Sequence, residues 1–135
     1  MEVPTHIKMP TKRILVVNDQ ADINTTIRKV LEDKGFNVDS YEDPHLALVN
    51  FKFQYYDLAL IDYKMPQMNG FTFYRGVKAI DPNVKTCFLS AADVQPGHYS
   101  GDTFSSPPPP KSFIRIPIEN ERLLERIDEI MAEEE

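Results

Sequence analysis

The chain is short of cysteine, of long apolar runs and of positive charge. One cysteine in 135 residues excludes an internal disulfide framework. Cys87, inside the apolar run VKTCFLSA (Val84–Ala91), reads as a small buried hydrophobe in a reducing compartment. With no histidine beside it in the strand pattern, it offers no catalytic thiol. No stretch approaches the ~20 apolar residues of a membrane span, and the opening MEVPTHIKMP lacks the apolar centre of a signal peptide. The expectation is a cytoplasmic protein with no membrane partner. Lys and Arg number 15 against 21 Asp and Glu, a net charge of −6, which argues against nucleic acid as a partner. What remains, 41% apolar and 27% charged residues, is the composition of one soluble globular domain with a real core.

Short apolar runs alternate with helical periodicity. RILVV (Arg13–Val17) reads as a buried strand; after it Ile23, Ile27, Val30 and Leu31 share one helical face, and Gly35 terminates that helix. FNVDSY (Phe36–Tyr41) alternates as an edge strand does. Asp43-Pro44 supplies an N-cap and a first-turn proline for a helix whose apolar residues are Leu46, Val49 and Phe53. YDLALID (Tyr56–Asp62) is nearly continuous, the mark of a strand covered on both faces. Phe73, Val77 and Ile80 define a third helix, ended by the turn Asp81-Pro82-Asn83. VKTCFLSA and KSFIRI are the last strands, and Leu123, Leu124, Ile127, Ile130 and Met131 line a helix from about Glu119.

Five strands alternating with helices predict an α/β fold, a five-stranded parallel sheet with helices on both faces. One stretch breaks the alternation. ADVQPGHYSGDTFSSPPPPK stands where a fourth helix belongs, and its Pro107–Pro110 tract cannot be helix interior. That helix is expected to be short or replaced by a proline-rich loop, with a recognition surface as the sharper alternative.

Three strand ends carry polar residues: Asn18 and Asp19 after the first, Asp62 after the third, Ser90 after the fourth. In a parallel sheet of order 2-1-3-4-5, the first and third strands flank the switch point where ligands bind. Asp19 and Asp62 then converge, and two facing carboxylates call for a hard cation such as Mg²⁺.

RILVVND, YDLALIDYKMPQMNGF and CFLSA resemble the receiver domain of two-component response regulators, the flavodoxin-like, chemotaxis-type (CheY-like) fold. The stretch D-x-K-M-P-x-M-N-G after an apolar strand is the most specific part. The resemblance covers roughly residues 12 to 132 and is weakest from Ala91 to Ser112. It implies that Asp62 is the phosphoacceptor and that Asp19, Asp62 and the Lys64 backbone carbonyl bind Mg²⁺, with Asn18 reaching the ion through water. It also implies that Ser90 contacts the phosphoryl oxygens and that Phe113 is the aromatic whose rotamer follows activation.

Two positions depart from the family. Asn18 stands for an acid, and Ile116, before Pro117, stands where the family has a lysine that grips the phosphoryl group. The departures cancel in formal charge, because an acid and a base are lost together. They do not cancel after phosphorylation: a charge-assisted hydrogen bond worth about 1.5–3 kcal/mol is missing. Arg115 and Lys64 are the candidate substitutes, although strand alternation points Arg115 to the opposite face. The resemblance makes the bond to Pro117 a candidate for the cis form.

The expectation is a stand-alone receiver, residues 12–135 behind a flexible extension at 1–11. It takes a phosphoryl group from a histidine kinase or small phosphodonor, signals through an unknown downstream protein, and is a monomer or weak homodimer. It is not an enzyme beyond phosphorylating itself. The alternative is a receiver-like protein-binding module that works without phosphorylation. An aspartate phosphatase is disfavoured because the nucleophile would need a second acid two residues on, and DYK has none. A flavin site is disfavoured for want of a phosphate-cradling loop.

Overall fold

The computed structural model describes residues 11–91 and 112–133. The N-terminal extension, the proline tract and the expected fourth-helix segment lie outside the described residues. The elements are β1 (Arg13–Val17), α1 (Ala21–Asp33), β2 (Asn37–Tyr41), α2 (Pro44–Val49), β3 (Leu58–Asp62), α3 (Gly70–Ile80), β4 (Lys85–Ser90), β5 (Phe113–Arg115) and α4 (Asn120–Ala132). All strand pairs are parallel, in the order β2-β1-β3-β4-β5. The doubly wound sheet is thus the one the alternation predicts.

Strand pleating splits the core in two. Leu15, Val17, Ala59, Ile61 and Phe88 face α2 and α3. Ile14, Val16, Leu58, Leu60, Cys87, Leu89 and Ile114 face α1 and α4, where Ile27, Leu31, Leu123, Ile127 and Ile130 meet them. Burial pushes the Cys87 thiol up to about 12, so it stays protonated. Gly35 adopts φ +94° just past α1, and the Asp43 carboxylate accepts from the His45 N–H (2.8 Å) at the start of α2, both as read from the sequence.

The inner face of α2 differs from the sequence reading. Leu46 and Val49 are 54% and 81% exposed, while Pro44 and Ala47 are buried; Phe53, 59% exposed, lies past the end of the helix, which is shorter than the sequence suggested. Leu48 packs where Gly76 of α3 carries no side chain; a Cβ there would lie 2.9 Å from the Leu48 Cδ1. In so short a helix, this close approach to α3 outweighs apolar periodicity in setting which stripe faces inward. Ile80, the last residue of α3, is likewise 37% exposed.

Two polar anchors hold the ends of the elements. The buried Asp81 accepts from the Asn83 N–H (3.1 Å) and the Gln54 N–H (3.0 Å), tying two loops together. The Lys85 ammonium, from β4, donates to the last carbonyls of α4, those of Ile130 (3.3 Å), Met131 (3.1 Å) and Glu133. It satisfies carbonyls that the helix itself leaves open and opposes the negative end of the helix dipole. Lys85→Met should therefore lower stability by about 1–2 kcal/mol, and denaturant unfolding would show no change if those bonds were only superficial.

Candidate functional site

The site forms at the carboxyl ends of β1, β3 and β4, where the chain leaves the sheet. The end of β1 is fixed by backbone pairing and by one side chain. Asn18 N–H donates to the Tyr41 carbonyl (3.1 Å). The Asn24 amide, from α1, donates to the Asn18 carbonyl (2.6 Å) and to the Tyr41 carbonyl (3.0 Å). Asn24 thus clamps the ends of β1 and β2 directly before Asp19. Its polar character on the same stripe as Ile27 and Leu31 was the available signal, and sequence reasoning passed over it.

Asn18 itself is 1% exposed. Its Oδ1 accepts from the Gln20 N–H (2.9 Å), while its Nδ2 is buried and has no partner among the described residues. An uncharged amide thus stands where the resemblance places an acid.

Asp62 ends β3 at 9% exposure and is hydrogen-bonded to Asp19. Its carboxyl is pushed up to about 7, first by burial, then by the hydrogen bond to Asp19 and the charge of that neighbour; a hydrogen bond from the Lys64 backbone acts in the opposite direction. The turn after it explains the motif mechanically. Met65 is buried against the α2/α3 core and Met68 packs beside it. The Asn69 Oδ1 caps α3 by accepting from the Thr72 N–H (2.8 Å). Gly70 lies so close to β3 that a Cβ would fall 2.5 Å from the Asp62 carbonyl oxygen.

A cavity of about 550 Å³ opens beside Asp62 and brings together Asn18, Lys64, Ser90 and Ile116. Ser90 is 5% exposed, and its carbonyl accepts from the Ile116 N–H (2.9 Å). Ile116 is 8% exposed within the α1/α4 core, and the Ile116-Pro117 bond is cis. Arg115 and Phe113 are not among the residues lining the cavity. Arg115 is exposed, and Phe113 packs on Phe88 with ring centroids 5.5 Å apart, towards the α2/α3 face. Lys64, exposed at the rim, is the cation that the cavity includes.

Residues 14–98 match the family model of the response regulator receiver domain. The chain belongs to the response regulator receiver family. The receiver is 31% identical over 120 residues to the chemotaxis protein CheY of Bacillus subtilis, an alignment covering 88% of this chain and 97% of the relative. It is 28% identical over 119 residues to the transcriptional regulatory protein RprY of Bacteroides fragilis, covering 88% of this chain but 49% of that relative. The receiver thus spans about half the length of RprY, and it covers 66% of the receiver protein CpdR of Brucella abortus. Among solved structures, a CheY-like receiver domain from Methanospirillum hungatei superposes with a TM-score of 0.74 at 25% identity, over 90% of this chain and 94% of that one. The non-phosphorylated HemR receiver domain of Leptospira biflexa gives 0.78 at 21% identity, over 93% and 98%, a likeness of fold. Among the described residues of the receiver, no helix is long and apolar enough to cross a membrane.

Receivers as a family bind Mg²⁺, and the donor set here fits that ion. Two facing carboxylates share a hydrogen bond at the end of the sheet, and among the described residues no group of three or more His, Cys, Asp or Glu stands ready for a metal. Mg²⁺ takes one or two carboxylates and keeps several waters, whereas Zn²⁺ asks for nitrogen and sulfur.

Proposed function

We propose that the chain, as a domain of residues 12–135, is a phosphoacceptor that takes a phosphoryl group on Asp62 from a histidine kinase or small phosphodonor and signals by protein contact. The observation that carries this reading is the paired Asp62 and Asp19 at the switch point of the sheet. An Asp62 carboxylate oxygen attacks phosphorus in line; the new O–P bond forms as the bond to the imidazole or acyl oxygen breaks, and the leaving group departs with the electron pair. Asp19, Asp62 and the Lys64 backbone carbonyl would hold Mg²⁺, which offsets charge on the phosphoryl oxygens. Asn18 reaches an ion-bound water only through the second lone pair of Oδ1, since Nδ2 can only donate. Ser90 donates its hydroxyl to a phosphoryl oxygen.

Switching is the part most altered. Ile116 is held in the apolar core and gives the phosphoryl group no cation, so coupling to Phe113 is weakened. Lys64, at the cavity rim, is the substitute the geometry favours over Arg115. Buried Ile116 also supports a second reading, a binding module that works without phosphorylation.

Intact-mass measurement with acetyl phosphate and Mg²⁺ separates the two. The wild type should gain one phosphoryl group and Asp62→Asn none. An unmodified wild type beside a labelled Ile116→Lys variant would favour the phosphorylation-independent module.

A further inference from the structure

The helices on the two faces of the sheet differ in charge and in what they expose. α1 carries Asp22, Glu32 and Asp33, and α4 carries Glu121, Glu125, Asp128 and Glu129. α2 and α3 carry no acid, and none occurs from Pro44 to Tyr56 in a chain of net charge −6. The bordering carboxylates of Asp43 and Asp81 are taken up by backbone N–H groups, and Glu42 lies at the end of α2 away from Phe53. The large apolar side chains exposed among the described residues all lie on this side: Leu46 and Val49 on α2, Phe53 after it, and Ile80 at the end of α3.

The fold gathers them. Leu46 and Val49, three residues apart, share one stripe of α2. Leu48 packs on Gly76 of α3, and the Gln54 N–H donates to Asp81 Oδ2 (3.0 Å). That bond draws the loop carrying Phe53 to the end of α3, where Ile80 lies. Gln54 has φ 57°, a left-handed conformation that side chains disfavour and that the surrounding structure must hold. Two exposed cations belong to this face, Lys52 over the Tyr55 ring (4.8 Å) and Arg75 over the Phe71 ring (5.9 Å). Among the described residues neither is ion-paired, whereas Arg28, Arg122 and Arg126 of the other face are.

Exposed apolar groups flanked by cations call for a partner that brings both hydrocarbon and carboxylates. A second copy does not. Its α1/α4 side has the acids but exposes no large apolar side chain among the described residues, and its α2/α3 side repeats the same cations. A surface made of helices also offers no open backbone, so a segment docking there must satisfy its own N–H and C=O groups, as a helix does. We propose that the α2/α3 face docks an acidic amphipathic helix of a partner protein. Its apolar stripe lies on Leu46, Val49, Phe53 and Ile80, and its carboxylates meet Lys52 and Arg75. This docking does not depend on Asp62 being the phosphoacceptor.

The test is an amide NMR titration of the full chain with a synthetic peptide of about 18 residues, ~27 Å long as a helix. It carries Leu at helical spacing and Glu or Ala elsewhere; a twin has Lys for every Glu. The Glu peptide should give saturable shifts at Leu46, Val49, Phe53 and Ile80, with a Kd on the order of 100 µM or tighter. At these residues the Lys twin should bind about tenfold more weakly. Val49→Asp and Lys52→Glu, both at exposed positions, should each weaken the Glu peptide about fivefold or more, with the rest of the spectrum unchanged. Asp62→Asn should bind it as the wild type does. Equal binding of both peptides here, shifts centred on α1 and α4, or no binding at about 1 mM would overturn the proposal. Sedimentation showing self-association that Val49→Asp abolishes would overturn it in favour of a second copy. Binding to phosphatidylserine vesicles without binding to the peptide would overturn it in favour of a membrane surface.

Discussion

Gly70→Ala is expected to lower the thermal midpoint by about 10 °C and to depress phosphoryl incorporation at Asp62 more than tenfold. The added Cβ would fall 2.5 Å from the Asp62 carbonyl oxygen and 2.8 Å from the Tyr63 Cα. Both are backbone atoms, one of them on Asp62 itself, so no side-chain rotation relieves the clash. Gly70 N–H also donates to the Tyr63 carbonyl (2.8 Å), so moving α3 away breaks that bond as well. Overpacking against yielding neighbours costs about 1–3 kcal/mol; against fixed backbone the upper end applies. Gly76→Ala is the control, because the atoms nearest its Cβ belong to the flexible side chain of Leu48 rather than to backbone. Calorimetry of both variants, with intact-mass labelling, checks the pair. A Gly70→Ala midpoint no lower than that of Gly76→Ala would sink the account of why glycine stands there.

The second large effect is on pH dependence. The Asp62 carboxyl rises from 3.8 to about 7 on folding, mainly because burial and Asp19 disfavour its charged form. Between those values the folded protein keeps a proton that the unfolded chain has released. The contribution is complete below the unfolded value and is lost as the pH climbs through about 7. Wild-type stability should therefore fall across that window, while Asp62→Asn, which has no proton to lose there, should change less. At about pH 8 the asparagine variant should melt about 5 °C higher than the wild type, on the order of 1–2 kcal/mol after solvent screening. Added Mg²⁺ should close the gap by stabilising the wild type alone. Parallel pH profiles for the two proteins would show that Asp62 is not the strained group.

Much of this was legible in one dimension because the signals are local. Near-continuous apolar runs mark strands covered on both faces, and Asp43-Pro44 and Gly35 act through their own backbone geometry. Asp19 and Asp62 stand where apolar strands stop, and the parallel order of the sheet then brings them to one edge. Strand alternation also separates Arg115 from Ile116 without reference to any partner element.

Tertiary structure decided what depends on two elements meeting. Leu46 and Val49 are as apolar as Ala47 and Leu48, and only the bare backbone of Gly76 tells which stripe of α2 turns inward. Asn24 reads as an ordinary helix residue until the ends of β1 and β2 bring two carbonyls to its amide. Ile116 alone suggests a lost contact; with Ile23, Ile27, Ile118 and Leu123 around it, it forms a cavity wall. Residue type and period fix what a segment is on its own, because those preferences act over a few residues of chain. Which face turns inward and which polar atoms find partners depend on distances between segments far apart in sequence, and only the packed fold sets those.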